Sequence, residues 1–481
     1  MTLSSLPEIQ SIAYDSRRAL PGGLFVALTG ADADGHDYIM AAYEKGCRVF
    51  LTEREVGVPP DATVVVCENT RAALAEIASE FYNHPSRSMR LIGLTGTKGK
   101  TSVSYMLRDI LTAAGRSAGI IGTTGAFAAG REWELLNTTP ESLELHRILS
   151  EMRDAGVTDV VIEASSWGLF THRLDGVEFE LGVFLNLSPD HIGGKEHPDY
   201  EHYANSKRLL FDRCRRALIN ADDKEAPRML NNTAKETKTF GCSDNADYRA
   251  GAFTPIKSPT ALGIRFTATL PPTTVNCQLS TINYQLPMPG RHNATNALAA
   301  LACADMLGVE RATAVKALSA ARVRGRAECV PVPADFTVMI DYAHNALSVQ
   351  SLMEMAKEYA LPQIITVFGR GGDRAAARRR DMGRIAAQHS DLCILTSDNP
   401  RSEKAEDIIS DILVGVGEAG GAYEIVPDRR DAIRRALSVA GKDSLVLIIG
   451  KGHQCYEEIN GVRHFFDERE VVSNYFAEGG Q

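Results

Sequence analysis

The feature that most constrains this chain is a junction at residues 90–115, where the short apolar run RLIGLT passes through the turn TGTKGKT into SVSYMLRDILTAAG. In that last segment Val103, Met106, Leu107, Ile110, Leu111 and Ala114 recur at three- and four-residue intervals, so one helix face must pack on a sheet, and Gly115 supplies the stop. Strand, glycine-rich turn and amphipathic helix in that order can hold a phosphate. Gly96 and Gly99 let the backbone wrap the anion, and the helix start, with Thr97, Lys98 and Ser102 in the same turn, presents N–H groups to it. Lys100 can neutralise β and γ charge, and the Thr101 hydroxyl can coordinate magnesium. The eight-residue Walker A pattern would also need glycine at position 94, where this chain has Leu94; ATP or GTP is still the expected ligand.

Further β-prone runs, TDVVIEAS, LGVFLNL and RRALIN, follow as an open α/β sheet requires, and we place a central domain at 89–321. Within it Ile264, Phe266 and Ala268 alternate with polar residues before Pro271 and Pro272, which predicts an antiparallel appendage. FTVMIDYAH, QIITVFGRGGDR, DLCILTSDNP and SLVLIIGKGH are apolar strands that open into Gly, Asp, Asn or His, the end at which such sheets bind ligands. They predict a doubly wound, Rossmann-like domain at 322–481. Residues 1–88, with GGLFVAL and TVVVC as strands and a helix at 71–82, are near the lower size for an independent core and should pack on their neighbour. The fold class is therefore α/β in three domains, the central one a phosphate-loop ATPase with a mostly parallel sheet.

Composition narrows the partners. With 481 residues, 44% apolar, the chain is too long for one binding module and too apolar for disorder. Lys plus Arg number 52 against 61 Asp plus Glu, leaving no positive excess to attract nucleic acid. No apolar run reaches the ~18 residues of a membrane span, and the first residues lack a basic start and an apolar h-region, so a soluble, cytoplasmic protein is expected. Nine cysteines without a CxxC read as reduced small core residues.

Taken with TGTKGKT, the strings EASSWGL, SPDH, NSKRLLF, RHNATN, GRAE, DYAHN, GGDR, DNPRSE and GKGH run in order over nearly the whole chain. On these residues the sequence resembles the Mur ligase family, within it the ligases that add the third amino acid of the peptidoglycan stem. The resemblance implies an ATP-dependent acid–amino-acid ligase, expected to be a monomer, with ATP and Mg2+ as cofactors. Its substrates would be UDP-N-acetylmuramoyl-L-alanyl-D-glutamate and a diamino acid, meso-diaminopimelate or L-lysine. ATP would phosphorylate the dipeptide carboxylate, the amine would attack the acyl phosphate, and ADP and phosphate would leave. An N-terminal domain would hold the UDP-sugar, and a C-terminal domain would close over ATP carrying the amino acid. The chemistry agrees: a carboxylate would have to expel oxide, so phosphorylation is needed, and the developing charge calls for magnesium, lysine and arginine rather than a covalent nucleophile. A nucleotide-binding regulator without catalysis is the reading from another class.

The resemblance also assigns residues. Lys100, Glu163, His191 and Lys207 are the implied catalytic groups, with Thr101, Glu163 and His191 on the metals. Lys207 aligns with a lysine that relatives carry as a carbamate, an anion able to ligate a second magnesium. His292 and Asn293 are implied near adenine, and Arg326, Asp341 and His344 near the phosphates, ribose or metal-bound water. For the UDP-sugar-peptide the implied contacts are Ser16 and Arg17 on the diphosphate, His36 near uracil or ribose, and Thr138, Thr139 and Pro140 on the muramoyl-peptide. Ser165 and Arg173 would position its carboxylates. Trp167 stands where many relatives have histidine, and IGGKEHPDYEHY replaces a shorter stretch.

Arg374, Asn399, Pro400, Arg401, Gly450 and Gln454 would form the pocket for the third residue. In relatives that use meso-diaminopimelate the GGDR and DNPR arginines bind its distal carboxylate. Lysine would set an ammonium against Arg401, which favours the dicarboxylic diamine. Gln454 replaces a glutamate that meets the distal ammonium in those relatives, so either Glu457 or Glu458 compensates or the substrate is L-lysine or another diamino acid.

Overall fold

The computed structural model describes residues 2–30, 33–190, 192–193, 196–230, 236–272, 280–373 and 376–480. They form two compact units, residues 1–249 with 299–314, and residues 250–298 with 315–481.

The first unit contains two sheets. The smaller is parallel throughout, in the order Ser11–Ala13, Gly23–Val26, Val49–Thr52, Thr63–Val66. The expected helix runs Thr70–Phe81, with the Asn69 side chain accepting from the Ala72 N–H as its N-cap. Leu74, Ile77 and Ala78 bury one face of it against Leu24, Val26 and Leu51. That core also takes in Leu143, from the helix Ser142–Asp154. Around this contact Arg71 pairs with Glu141, Arg153 donates to the Tyr82 and Asn83 carbonyls, and Ser79 donates to the Gly176 carbonyl. The dependence expected of so small a piece is met there.

In the larger sheet six parallel strands run in the order Glu236–Gly241, Cys214–Asn220, Phe179–Phe184, Arg90–Thr95, Asp159–Glu163, Ala118–Gly122; Gly125–Ala128 and Arg131–Trp133 continue it antiparallel. Arg90–Thr95 is central, and its C-terminal end lies level with two neighbours: Leu94 is opposite Glu163, and Thr95 opposite Phe184. The chain leaves this strand toward one side of the sheet and returns on the other, so the loop after it opens at a topological switch point. Helix Lys100–Ala113 buries Val103, Met106, Leu107, Ile110 and Leu111 as its periodicity requires. Ala114 departs from the expected stripe. It is the exposed C-cap, because Gly115 at φ +78° has already turned the chain out of the helix.

The second unit holds a six-stranded sheet in the order Glu328–Val330, Thr337–Asp341, Leu445–Ile449, Ile364–Phe368, Leu392–Leu395, Tyr423–Ile425, parallel except for the first pair. Both faces are covered, so its central strands are apolar without alternation. Asp341 and Phe368 both sit opposite Ile449, and Phe368 opposite Leu395, so the segments that follow these four strands emerge along one edge. The predicted antiparallel appendage is the pair Ala261–Leu270 and Ser280–Leu286, with Ile264, Phe266 and Ala268 buried. Among the described residues no helix is long and apolar enough to cross a membrane.

Candidate active site

The turn after Arg90–Thr95 is shaped for an anion. Gly99, at φ +88°, is the N-cap of Lys100–Ala113, and no side chain caps that helix start. Its first N–H groups and the positive end of its dipole therefore face the turn. Asn186 holds the loop from the neighbouring strand end: its Oδ1 accepts from the Lys98 N–H at 2.9 Å and its Nδ2 donates to the Lys98 carbonyl at 3.0 Å. A Cβ at Gly96 would sit 3.0 Å from Leu185 Cβ and 3.2 Å from the Asn186 nitrogen, so a larger residue would push the loop off its support.

Two lysines meet on one carbonyl. Lys100 Nζ donates to Gly96 O at 2.7 Å and Lys207 Nζ to the same oxygen at 3.1 Å. Lys207 is 1% exposed and lies 4.5 Å from the Tyr203 ring centroid. Burial first, and the Lys100 charge second, hold its amine well below the ordinary lysine value, against the opposing pull of Asp190 and Glu196. Both effects shift this amine toward its uncharged form relative to an exposed lysine.

Glu163 is fully buried at the end of its strand. Its Oε2 accepts from Thr101 Oγ1 at 3.2 Å and Thr123 Oγ1 at 3.0 Å, and its Oε1 accepts from the Thr123 N–H at 3.2 Å. Among the described residues no basic side chain pairs with it. A buried carboxylate partnered by hydroxyls and one amide, beside a phosphate loop and without thiols, suits magnesium, which takes one or two carboxylates and keeps its remaining positions for water and phosphate oxygens. Thr101 and Glu163 therefore fit as protein ligands. His191 and Arg374 lie outside the described residues.

Next to Glu163 is a polar cluster. Thr139 Oγ1 donates to the Glu163 carbonyl at 2.8 Å and lies 2.9 Å from Ser165 Oγ, while Thr138 Oγ1 is 3.1 Å from Thr123 Oγ1. Arg173 donates to the Thr139 carbonyl at 3.0 Å and pairs with Glu141 at 2.9 Å; Glu141 in turn pairs with Arg71. Thr138, Thr139, Pro140, Ser165 and Arg173 thus come together, as their motifs suggested. Thr123, Asn186 and Arg71 were missed by the sequence reading. Another group it missed surrounds Trp167, whose ring lies 5.6 Å from His197. The His197 Nε2 is 2.9 Å from Ser166 Oγ, and its Nδ1 is 2.8 Å from His202 Nδ1.

The N-terminal candidates are further apart in character. Ser16 begins a short 3-10 turn capped by Asp15, and Arg17 is exposed and doubly bonded to Asp15. His36 is buried, and both ring nitrogens are engaged. Nε2 accepts from the Glu53 N–H at 3.1 Å, which places the proton on Nδ1, 2.6 Å from Asp34.

In the second unit Arg326, Asp341 and His344 gather around Tyr342. The Arg326 guanidinium lies 4.7 Å over that ring and the His344 ring 4.6 Å from it, while Asp341 accepts from the Ala327 and Ala343 N–H groups. His453, which the sequence reading passed over, is 4.8 Å from the same ring. Burial, with Arg326 and Arg324 nearby, pushes it down to about 3. His292 is exposed on the first turn of Arg291–Met306, and Asn293 is buried with its Nδ2 on the Pro289 carbonyl. Gly450, Asn399, Pro400, Arg401 and Gln454 follow the aligned strand ends. Buried Lys451 ties them together by donating to Asp398 O, Asn399 Oδ1 and Tyr456 O.

Comparison with known proteins agrees with this geometry. The Mur ligase catalytic domain matches residues 8–82, the Mur ligase middle domain 94–304, and the glutamate ligase domain of Mur ligases 325–452. A UDP-N-acetylmuramoyl-L-alanyl-D-glutamate--2,6-diaminopimelate ligase of Caldanaerobacter subterraneus subsp. tengcongensis is 41% identical over 98% of this chain and 95% of its own length. The chain belongs to the Mur ligase family. A ligase of the same name from Clostridioides difficile is 38% identical over 97% of this chain and 94% of its own. Among solved structures, one of a diaminopimelate ligase superposes with a TM-score of 0.70 at 29% identity, covering 98% of this chain and 96% of that one. The three sheets described above are those of the three-domain α/β Mur ligase fold. A folylpolyglutamate synthase of Mycobacterium tuberculosis, at 18% identity and TM-score 0.62 over 86% of this chain and 95% of that one, shares the fold alone.

Proposed function

We propose that this Mur ligase joins meso-2,6-diaminopimelate to UDP-N-acetylmuramoyl-L-alanyl-D-glutamate with hydrolysis of ATP to ADP and phosphate, in the cytoplasm and as a monomer. The observation that carries the reading is the convergence of Lys100, Lys207, Thr101 and Glu163 on one phosphate loop, in a chain alike over its whole length to diaminopimelate ligases. Residues 1–88 hold the UDP-sugar, 89–321 ATP, and 322–481 the amino acid.

The dipeptide carboxylate oxygen attacks the γ-phosphorus, the bond to the β,γ-bridging oxygen breaks, and ADP leaves with that electron pair. The free amine then attacks the acyl carbon; phosphate departs, and the amine proton passes to solvent or base. Lys100 and the N–H groups of the loop hold the transferred phosphoryl charge, while Thr138, Thr139, Ser165 and Arg173 hold the muramoyl-peptide. Thr101 and Glu163, together with His191, would hold magnesium, which would supply screening of the phosphate charge. Ser16, Arg17 and His36 lie on the UDP side. His292, Asn293, Arg326, Asp341 and His344 serve the nucleotide, and Arg374, Asn399, Pro400, Arg401, Gly450 and Gln454 the diamino acid.

Lys207 acts as its carbamate: the neutral amine adds carbon dioxide, loses one proton, and becomes an anion that would ligate magnesium. Its burial and depressed basicity support this. Carbon-13 bicarbonate should give a carbamate resonance in the wild type that is missing from Lys207→Ala.

The deciding experiment offers the purified protein ATP, Mg2+, the UDP-muramoyl-dipeptide and separate diamines, following phosphate release and product mass. Amide product with meso-diaminopimelate supports the reading. A clear preference for L-lysine rejects the substrate, and ATP binding with no amide product rejects the ligase.

A further inference from the structure

The hydrogen bonds around Asn399 decide which way a neighbouring glutamine points. Asn399 Oδ1 lies 2.9 Å from the Glu458 backbone nitrogen and 3.1 Å from Lys451 Nζ. A backbone N–H can only donate, so the amide oxygen faces it and Asn399 Nδ2 faces the other way, donating to Gln454 Oε1 at 3.1 Å. The Gln454 oxygen is therefore engaged, and its NH2 is the end left for a further hydrogen bond. That end accepts nothing. It suits a carboxylate and not an ammonium.

Two charges meet close to Asn399, whose Oδ1 accepts from the Glu458 N–H. Arg401, at φ +56°, is bolted to the strand Tyr456–Ile459 by a bond from its N–H to Glu458 O at 2.9 Å and one from the Asn460 N–H to its own carbonyl at 2.8 Å. The left-handed backbone sets its side chain alongside Glu458, with Arg401 Nε 3.6 Å from Glu458 Oε2. That separation is too long for a hydrogen bond; Arg401 Nη1 donates to the Gly372 carbonyl at 3.3 Å, and its other N–H groups and the Glu458 carboxylate attract each other while keeping bonding capacity for a ligand. Arg463, the cross-strand partner of Glu458, stacks 4.5 Å over Tyr456. Glu457, the other acid nearby, is held by Ser397 Oγ.

We infer that Glu458 accepts the distal ammonium of the incoming amino acid, while Arg401 and the Gln454 NH2 take the carboxylate on the same carbon. The pocket reads a zwitterionic end. This rests on the diaminopimelate reading above and goes beyond it, moving ammonium recognition from position 454 to position 458. L-Lysine offers the ammonium without the carboxylate, and L-2-aminopimelate the carboxylate without the ammonium.

The test measures KM, or Ki where turnover is too slow, for meso-diaminopimelate and L-2-aminopimelate with the full chain, ATP, Mg2+ and UDP-muramoyl-dipeptide. In the wild type the constant for 2-aminopimelate should exceed that for diaminopimelate by about 5-fold, the scale of one partly exposed charge pair. Glu458→Gln should bring that ratio toward unity, and Glu457→Gln should leave it. Any loss of Arg401 positioning weakens both ligands alike and cancels in the ratio. A ratio preserved in Glu458→Gln, or collapsed in Glu457→Gln, overturns the inference while the diaminopimelate reading stands. A wild type that turns over L-lysine and ignores diaminopimelate overturns both.

Discussion

Gly122 sits opposite the Glu163 carboxylate with no room between them. A Cβ at this position would lie 2.6 Å from Glu163 Cδ and 2.7 Å from its Cγ, where an ordinary contact begins near 3.4 Å. Its Oε1 would be closer still, so in Gly122→Ala the carboxylate must retreat by about 1 Å to restore normal contact. Glu163 is fully buried and held by Thr101 and Thr123, so it cannot swing into water to make space. Backbone strain does not confuse the experiment, since Gly122 ends the strand Ala118–Gly122 without a positive φ. Overpacking of this kind costs ~1–3 kcal/mol of stability. Catalysis should suffer more, because a metal–oxygen bond of ~2.1 Å tolerates little displacement and a misplacement near 1 Å costs roughly 10²-fold in rate. Steady-state kcat across a magnesium titration, with a thermal melt on the same sample, separates the two effects. We expect a folded protein whose kcat falls about 10²-fold and whose magnesium requirement rises. Wild-type kcat at every magnesium concentration would refute the role given to Glu163.

Arg401→Ala should raise KM for meso-diaminopimelate by ~30-fold or more while ATP binding holds, as loss of one partner of a charge pair predicts; equal losses in both would show the pocket is misplaced. His146 is fully buried with Nε2 3.3 Å from the Asp175 carbonyl, and burial pushes it from 6.5 down to about 4. Between those values the unfolded chain binds the proton and the folded one does not, so stability falls as pH drops through this window, by up to ~3 kcal/mol. Urea unfolding above and below the window should show that fall flattened in His146→Leu, and an unchanged slope would reject the assignment. Arg429 and Glu468 form an ion pair at 2.6 Å with both side chains fully buried, so Arg429→Ala should cost about 3–5 kcal/mol in the same assay.

The parts of the site legible in the sequence are those written within a few residues. The phosphate loop was readable because strand, glycine turn and apolar helix stripe adjoin, and Glu163 because a carboxylate closing an apolar strand has few structural uses. Lys207 was readable only by resemblance, since on its own helix it looks like a solvated residue, and its burial comes from Tyr203 and a loop more than 100 positions earlier. Thr123, Asn186 and the His197 cluster act through contacts between distant segments, which no local period records. Gly122 belongs with them: its meaning depends on which strand lies beside it. The choice between Glu457 and Glu458 was open in sequence because it turns on which distant residue each carboxylate meets, Ser397 or Arg401.

The interlock of the helices Thr70–Phe81 and Ser142–Asp154 has an evolutionary consequence. Because Leu143 completes the core beneath the small sheet, and Arg71 and Arg153 fasten each side of the joint to the other, the segment that carries the small sheet cannot be exchanged as a cassette. A chimera cut near residue 88 would inherit half a core. One that carries the facing helix along with the first segment keeps that joint whole.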